Sequence, residues 1–555
     1  MKRLAASLLT MAMILSLVGC TNKETEETKK KKKAKKTTET ETSETEDPSD
    51  TENSETDPTD PSETSTAPDP SLKVPGIDHD LDYLDLAFWS SEQGYGEMCA
   101  KVDDVLFTID EHCDFIEVYD DKLQQTVSSI YMDETLECNE LFDDCLLSFP
   151  DVLKSVDTSN YYEYWFQEIY SYTSVARADE QILSFAIRRS FSTGDTLENS
   201  VKCYNFSVAA GEEIPFDRVV LDREGFAQHV ESYAKTNDSA QFIDYVNSIA
   251  DLVRNGSDDE IRFLIYQDCI AFYYPVTDSY GRQWEYEMKV SVMDVCDCVD
   301  IGLFASTTPY FTLASDYNHR IAWDFDDDGV LDEVLVENAS TSYDLDLQVS
   351  INGNICDLSL YNLDIYADGI SESFMTYTGD DYYLYVECTS EDPVFNTLVF
   401  RLEGDVFVYT GTCGELDSYP YDADRCQIWE RADFMGTGHF TKSCSLLTST
   451  GLPQELDSYL EKTAYAVTNQ EMTLGIFNQF GEPTGDTVTI PQDSTVKLLG
   501  LDSDYGLAYF LWVKGDGSEP VPFQMVTVQE SSGGYDIYFD GMNIDDLFRG
   551  LIFFD

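Results

Sequence analysis

The amino-acid composition changes abruptly near residue 72, and this break limits which parts of the chain can fold. Residues 21–72 consist mainly of Thr, Ser, Glu, Asp, Lys and Pro and contain no aromatic residue. Such a segment cannot bury enough apolar surface to offset the entropy of ordering it. We therefore predict a disordered charged tether over 21–72 and globular structure from residue 73 onward.

The first twenty residues have the pattern of a bacterial lipoprotein signal. A basic start, Met1–Arg3, precedes an apolar run over 4–17 that is shorter than the roughly 20 residues of a membrane span. The small residues Val18 and Gly19 then precede Cys20, as in a lipobox. We expect cleavage of 1–20 before Cys20 and acylation of its thiol, which would anchor the protein to the outer face of the cytoplasmic membrane. An uncleaved membrane anchor is the alternative.

The charge of the chain restricts its partners. Its formal net charge is −72, with 106 acidic and 34 basic residues. A field of this sign repels nucleic acid and favours divalent cations or basic proteins. We expect no nucleic-acid partner, and a cationic protein remains a candidate. The alternative is that the acidity only keeps an exported protein soluble.

The cysteines do not form a recognisable disulfide or zinc pattern. With Cys20 assigned to lipid, thirteen of the fourteen cysteines remain, an odd number spread thinly over a long chain. Cys296 and Cys298 lack the two-residue spacer of zinc and redox motifs, and no histidine lies near them in sequence. We predict that at least one thiol is unpaired and that most are buried.

Residues 73–305 are predicted to form an α+β domain, with two helices following an antiparallel sheet. Turn signals separate the segments rich in aromatic and β-branched residues, and these segments are predicted strands. They cover 161–178, 181–191, 201–208, 261–274 and 284–292. The first helix begins at an Asp222 cap, and the second ends at Asn255-Gly256.

Four motifs in this region carry a resemblance to a known family. They are SVARADEQILSF at 174–185, YNF at 204–206, GEEIPFD at 211–217 and IRFLIYQDCIAFYYP at 261–275. Their order resembles the RsiV-type extracytoplasmic domain of anti-sigma factors, which also occurs beside some peptidoglycan deacetylases. The resemblance covers about residues 75–305. It implies an α+β fold that recognises a cell-wall glycan or a lysozyme-like cationic protein.

The sequence also departs from that family. The family's histidine-containing turn is replaced by STGDTLEN at 192–199, so no histidine role can be transferred. Cleavage before Cys20 would leave no cytoplasmic segment. The resemblance therefore implies a fold and a type of ligand, and it does not imply control of transcription.

A calcium-binding pattern, DxDxDGxxD, occupies residues 324–332 of a predicted β domain over 306–416. Alternating carboxylates point to a common centre when such a loop curls, and Gly329 permits the tight turn. The expected calcium ligands are Asp324, Asp326, Asp328, the backbone carbonyl of Val330, and Asp332. An EF-hand is disfavoured because its twelfth position holds Leu335 instead of glutamate. A metal-free acidic hairpin is the alternative.

The C-terminal region, 417–555, is predicted to be mostly strand. Short segments at 487–490, 495–499, 507–513 and 522–528 favour a small SH3-like barrel, and a helix is expected around 453–465.

No catalytic motif is recognisable, and we assign no catalytic residue. The five histidines form no HExxH pattern, and neither a GxSxG elbow nor a P-loop occurs. Ser494 and Lys497 fit SxxK, but they lie in a predicted strand, where they would project to opposite faces. We therefore favour a non-catalytic binding or sensing module, with the aromatic run at 161–166 as a candidate binding face. The alternative is an enzyme or accessory factor in peptidoglycan or polysaccharide processing.

Overall fold

The architecture is taken from a computed structural model of the chain. It describes residues 81–99, 101–102, 105–157, 166–193, 196–234, 240–277, 283–316, 318–326, 328–339, 345–361, 369–379, 381–389, 396–416, 426–433, 435, 437–456, 458–477, 483–502, 506–514, 520–529 and 537–550. The predicted signal, Cys20 and the tether lie outside these residues, as does most of the aromatic run at 161–166. All described residues belong to one unit, Pro68–Asp555.

The first sheet is mixed and has the strand order β1-β2-β3-β4-β5-β6. Its strands are β1 Leu86–Cys99, β2 Val105–Val118, β3 Phe166–Ala178, β4 Ile182–Thr193, β5 Thr196–Ser207 and β6 Glu212–Glu213. β2 and β3 pair in parallel, and every other neighbouring pair is antiparallel. A parallel pair needs a long crossover connection, and here that connection contains a helix.

That helix, α1 Gln124–Ser155, is 32 residues long and was not predicted from the sequence. Its buried positions recur every three or four residues, as on one face of a helix. They are Val127, Tyr131, Glu134, Cys138, Phe142, Cys145 and Phe149. The stripe contains a glutamate and two cysteines, which weakens the apolar periodicity by which an amphipathic helix is recognised.

The predicted helices and the strands after them are confirmed. α2 Phe216–Val219 precedes α3 Arg223–Tyr233 and α4 Ala240–Asn255, and Asp222 caps α3 by accepting a hydrogen bond from the Gly225 amide at 3.1 Å. A three-stranded antiparallel sheet follows: β7 Phe263–Ile265, β8 Cys269–Thr277 and β9 Gln283–Ser291. This sheet packs on β4 and β5, where Asn205 donates its side-chain amide to the Phe263 carbonyl at 2.8 Å.

The central region contains two antiparallel sheets around a shared core that includes the fully buried Trp323. The first has the order β10-β15-β16-β17-β18, and the second is β11-β12-β13-β14. Their strands are β10 Phe311–Ala314, β11 Arg320–Trp323, β12 Asp332–Asn338, β13 Leu347–Ile351, β14 Asn354–Ile355, β15 Gly369–Tyr377, β16 Tyr382–Thr389, β17 Asn396–Glu403 and β18 Val406–Cys413. These strands confirm the β structure predicted for this region.

The C-terminal region is a single large sheet. Its strands are β19 Glu415–Leu416, β20 Cys426–Asp433, β21 Thr437–Leu446, β22 Pro453–Glu455, β23 Tyr459–Thr468, β24 Met472–Phe477, β25 Pro483–Ile490, β26 Thr495–Asp502, β27 Leu507–Val513, β28 Val521–Gln529, β29 Ile537–Phe539, β30 Met542–Asn543 and β31 Phe548–Arg549. A short helix, α5 Ile544–Leu547, lies near its end. Within the described residues the strand order is an open path and not the closed barrel expected from the sequence.

The helix predicted around 453–465 is wrong. β22 and β23 occupy this segment, and β23 pairs with β26 along its length. The segment is rich in Glu, Leu, Lys and Ala, which favour helix in isolation, but pairing with neighbouring strands satisfies the same backbone groups. Tertiary context therefore overrides local propensity here.

The pairing of the cysteines and the apolar character of the helices can be compared with what the sequence predicts. At least ten cysteines in the part of the chain that the structure describes are free thiols, so the prediction of at least one unpaired cysteine is confirmed. They are Cys99, Cys113, Cys138, Cys145, Cys203, Cys269, Cys296, Cys298, Cys356 and Cys388. None of the described helices combines the length and the apolar character that a membrane crossing needs. The domain boundaries at 305 and 416 remain predictions.

Candidate functional site

The predicted calcium loop connects β11 to β12, which are antiparallel, so strands flank it and not the two helices of an EF-hand. Asp324 accepts hydrogen bonds from the Gly329 amide at 2.8 Å and from the Asp328 amide at 3.1 Å. At the far end, Asp332 accepts from the Phe325 amide at 2.9 Å. Gly329 has φ +82°, a conformation that side chains other than glycine rarely adopt. These contacts curl the loop on itself.

The loop brings three of its four predicted carboxylates together. One oxygen each of Asp324, Asp326 and Asp332 lies within 4.8 Å of the others. Asp328 is not in this group, and its carboxylate instead accepts from the Val330 amide at 2.8 Å. Sequence reasoning missed Asn352, whose side-chain amide donates to Asp332 at 2.6 Å from the adjoining hairpin turn.

The donor chemistry of the loop fits a hard cation. Its ligands are all oxygens, which calcium prefers. Partial burial raises the pKa of Asp324, the amides of Gly329 and Asp328 lower it, and repulsion from Asp328 and Asp326 raises it further. A bound divalent cation would relieve that repulsion.

A second acidic region lies on the first sheet. Phe166, Glu168, Tyr170 and Tyr172 project from one face of β3 and are solvent-accessible; we call these four residues the β3 strip. The three aromatic side chains are 39%, 40% and 40% exposed, while the residues between them are buried on the other face. Three exposed aromatic groups that lie together on one strand make this face a candidate interaction surface.

The C-terminal sheet flanks the strip on its β2 side. Asp110 of β2 is the register partner of Glu168. The Tyr465 hydroxyl donates to Asp110 at 2.8 Å, and the Lys497 ammonium lies 3.4 Å from the same carboxylate oxygen. The Thr495 hydroxyl donates to the Gly96 carbonyl of β1 at 3.1 Å. Residues of β23 and β26 therefore lie against β1 and β2.

The three-stranded sheet flanks the strip on its β4 side. Arg188 of β4 is the register partner of Tyr172. Its guanidinium donates to the Tyr273 hydroxyl of β8 at 2.7 Å and to Glu287 of β9 at 3.0 Å. The β3 strip thus lies between Asp110, which contacts the C-terminal sheet, and Arg188, which contacts the three-stranded sheet.

The carboxyl group of the strip has a perturbed pKa. Glu168 is solvent-accessible, yet desolvation by the protein atoms around it raises its pKa to about 7, and the negative charge of Asp110 raises it further. Beside it, the His112 ring stacks on Tyr170 at a centroid distance of 4.8 Å, and its Nε2 lies 2.7 Å from Asp114. The β3 strip and the residues beside it therefore present carboxyl groups and aromatic rings together. Of the predicted aromatic face, Phe166 is described and exposed.

Two further groups of metal-type ligands appear only in three dimensions. His229 of α3 reaches within 3.9 Å of Asp297, whose carboxylate accepts from the Cys298 thiol at 3.3 Å. The sequence showed no histidine near Cys298, because the two residues are far apart along the chain. Glu111, Cys113 and Cys138 form the other group, buried between β2 and α1.

Lys497 of the SxxK pattern lies on β26, so the predicted strand is confirmed. Its side chain is 2% exposed. The ammonium is directed at Asp110 and lies 5.4 Å from the centre of the Tyr465 ring. This lysine holds the C-terminal sheet against β2.

Comparison with known proteins gives partial likenesses of fold. No protein-family model matches the chain, and no curated protein sequence matches it. A member of the DUF3298 family from Bacteroides fragilis is similar in structure, with 13% identity and a TM-score of 0.28 over 40% of this chain and 98% of that chain. A DUF3298 family protein from Pseudomonas aeruginosa is similar over the same shares, with 12% identity and a TM-score of 0.26.

Proposed function

We propose that this chain is a lipid-anchored cell-surface protein that holds a cationic protein on the β3 strip and performs no catalysis. The observation that carries the proposal is the exposure of three aromatic rings beside Glu168 and Asp110 on one face of the first sheet. Aromatic faces attract ammonium and guanidinium groups, and nearby carboxylates add a charge-assisted hydrogen bond.

The net charge favours a basic protein as the partner. A chain of formal charge −72 steers basic proteins toward itself and repels polyanions. The RsiV-type sequence resemblance supports a lysozyme-like protein as the first probe. A cell-wall glycan is the other ligand class, because pyranose rings also pack on aromatic side chains.

The anchoring part of the proposal depends on residues 1–72. Cys20 would carry the acyl chains, and the tether would give the folded region a reach of roughly 40 Å. The loop Asp324–Asp332 would hold calcium through the clustered Asp324, Asp326 and Asp332, with Asp328 and the Val330 carbonyl as further ligands. Calcium there would brace the β11–β12 hairpin.

Binding is tested by calorimetric titration of the mature protein with egg-white lysozyme and, separately, with soluble wall fragments. We expect lysozyme to bind and Tyr170→Ser or Tyr172→Ser each to weaken binding about 10-fold or more, as loss of an aromatic anchor does. Tyr119→Ser is the matched control, because Tyr119 is 49% exposed outside the strip. Binding that survives both strip variants, or falls equally in the control, would contradict the proposed surface.

Anchoring is tested by labelling cells with palmitate. Label should enter the wild type and be absent from Cys20→Ser, which should also leave the membrane fraction. Equal membrane retention of both proteins would refute acylation and leave the binding result untouched.

A second function is supported by one observation. Glu168, whose pKa is raised to about 7, is the register partner of Asp110, and a pair of carboxyl groups can act as general acid and base on a glycosidic bond. Glu168→Gln distinguishes the functions. An enzyme would lose turnover of purified wall, whereas a binding protein shows no turnover in either form.

A further inference from the structure

A small polar group lies within the apolar interface between α1 and the first sheet. Glu111 and Cys113 lie on β2, and Cys138 faces them from α1. Their exposed fractions are 4%, 3% and 0%. The residues around them form an apolar core cluster that includes Phe107, Ile109 and Phe142. Burying three groups of this chemistry together in such a core requires a physical reason.

The three side chains converge. One carboxylate oxygen of Glu111 and the two sulfurs all lie within 4.8 Å of one another. The Cys113 thiol donates to Oε1 of Glu111 at 3.6 Å. The other carboxylate oxygen, Oε2, accepts from the side-chain amide of Gln93, whose nitrogen also donates to Asn139 at 3.1 Å. Gln93 therefore orients the carboxylate so that Oε1 faces the thiols.

Glu111 also differs from its neighbour at the same interface. Glu134 of α1 is equally buried, but it pairs with Lys202 at 2.8 Å and Arg189 at 3.3 Å. Among the described residues Glu111 forms no ion pair, and its side chain is only 4% exposed. A buried carboxylate without a cation is costly unless its charge is removed or balanced.

We propose that Glu111, Cys113 and Cys138 bind a thiophilic divalent ion of the zinc class. Two sulfurs and one carboxylate oxygen are ligands that zinc accepts, in contrast to the oxygen-only ligands of the loop Asp324–Asp332. Binding releases the two thiol protons, and the divalent ion then offsets two of the three negative charges of the two thiolates and the Glu111 carboxylate. The hydrogen bond from Gln93 to Oε2 is the outer contact that commonly orients a ligand carboxylate. The bound ion would join α1 to β2.

The test uses the full-length mature protein, reduced and free of metal, and titrates it with Co²⁺ as a spectroscopic probe and then with Zn²⁺. We expect a thiolate-to-cobalt charge-transfer band that zinc abolishes on displacement. Cys113→Ser and Cys138→Ser should each weaken binding more than about 100-fold, beyond the usual effect of an outer contact. Cys145→Ser is the matched control, because Cys145 is 5% exposed on the same helix and outside the group.

Two further variants keep the test decisive. The other candidate ligand group that contains a thiol consists of His229, Asp297 and Cys298, and His229→Ala disrupts it. This variant should leave the charge-transfer band unchanged. Gln93 lies at the edge of the site, and Gln93→Ala should weaken metal binding about 10-fold or more. This variant tests the site even if the two serine variants fail to fold.

Three results would overturn the proposal. They are a band lost in His229→Ala, an equal loss in Cys145→Ser, and a folded, reduced wild type that takes up no metal. A Cys113–Cys138 disulfide found by alkylation and mass spectrometry in the isolated protein would also overturn it, because the ligands would then be consumed.

Discussion

The loop Asp324–Asp332 and the β3 strip are both acidic, but they are assembled over very different distances along the chain. Nine consecutive residues build the loop, and its backbone amides hydrogen-bond to its own carboxylates. The surroundings of the strip depend on a hydrogen bond from Tyr465 to Asp110, and these two residues are 355 positions apart in sequence. A local motif can therefore be recognised in a sequence, whereas a site made by packing sheets together cannot. The difference also predicts where each region is vulnerable.

The largest expected effect is at Asp110, whose carboxylate contacts residues of the C-terminal sheet that are far away in sequence. Asp110→Ala should destabilise the protein by about 3 kcal/mol, because the Lys497 ammonium would stay buried without this carboxylate. Urea unfolding of the two proteins measures the change. Asp114→Ala, on the same strand but 37% exposed, should cost less than about 1 kcal/mol. Similar costs would mean that the contact with the C-terminal sheet contributes little.

The next effect concerns calcium at the loop. Calcium at 100 times its dissociation constant should raise the free energy of unfolding by about 2.7 kcal/mol, and Asp324→Asn should remove most of that gain. Thermal melts with and without millimolar calcium measure it. Asp405→Asn, in the turn between β17 and β18, is the control and should retain the full shift. A wild-type melting temperature that does not change with calcium would mean that the loop is a metal-free acidic hairpin.

A smaller effect isolates the backbone of the loop. Gly329→Ala should destabilise by about 1 kcal/mol, because φ is +82° there, although an added Cβ would meet no atom within 4 Å. Gly369→Ala is the control, since a Cβ there makes only an ordinary 3.6 Å contact with Thr389. Equal costs at both positions, measured by chemical unfolding, would show that the loop does not enforce this conformation.

The smallest effect is the pH response of the strip. The pKa of Glu168 is raised from 4.5 to about 7 in the folded state, so the folded state binds this proton more tightly. Its stabilising contribution is therefore complete below pH 4.5 and is lost as the pH rises to about 7. The stability of the wild type relative to Glu168→Gln should fall across this window and then level off. A difference that does not change with pH would contradict the raised pKa.

Secondary structure was predictable where a local signal agrees with the tertiary fold. Asn352-Gly353, a dipeptide typical of hairpin turns, forms one here, with positive φ at both residues. Asp222 forms the expected helix cap. α1 was missed because its stripe includes Glu134, Cys138 and Cys145, which do not read as apolar. The segment 453–465 was misassigned because sheet pairing outweighed its helix propensity.

Prediction of the site residues was likewise restricted to groups whose members lie close together in sequence. Asp324, Asp326 and Asp332 were identified from their spacing, and they converge. Asp328 was assigned the same role, which stays a prediction, because its carboxylate lies outside this cluster and accepts a hydrogen bond from the Val330 amide. The groups around Glu111 and His229 come from separate elements, and no spacing in the sequence relates their members.

Hydroxyl-radical footprinting tests the central claim, that a cationic partner occupies the β3 strip, because it reads the exposure of individual aromatic side chains. With lysozyme bound, oxidation should fall at Phe166, Tyr170 and Tyr172 and stay unchanged at Leu147, which is 80% exposed on α1. Unchanged oxidation across the strip in a saturated complex, or protection confined to the loop around Val330, would contradict the account.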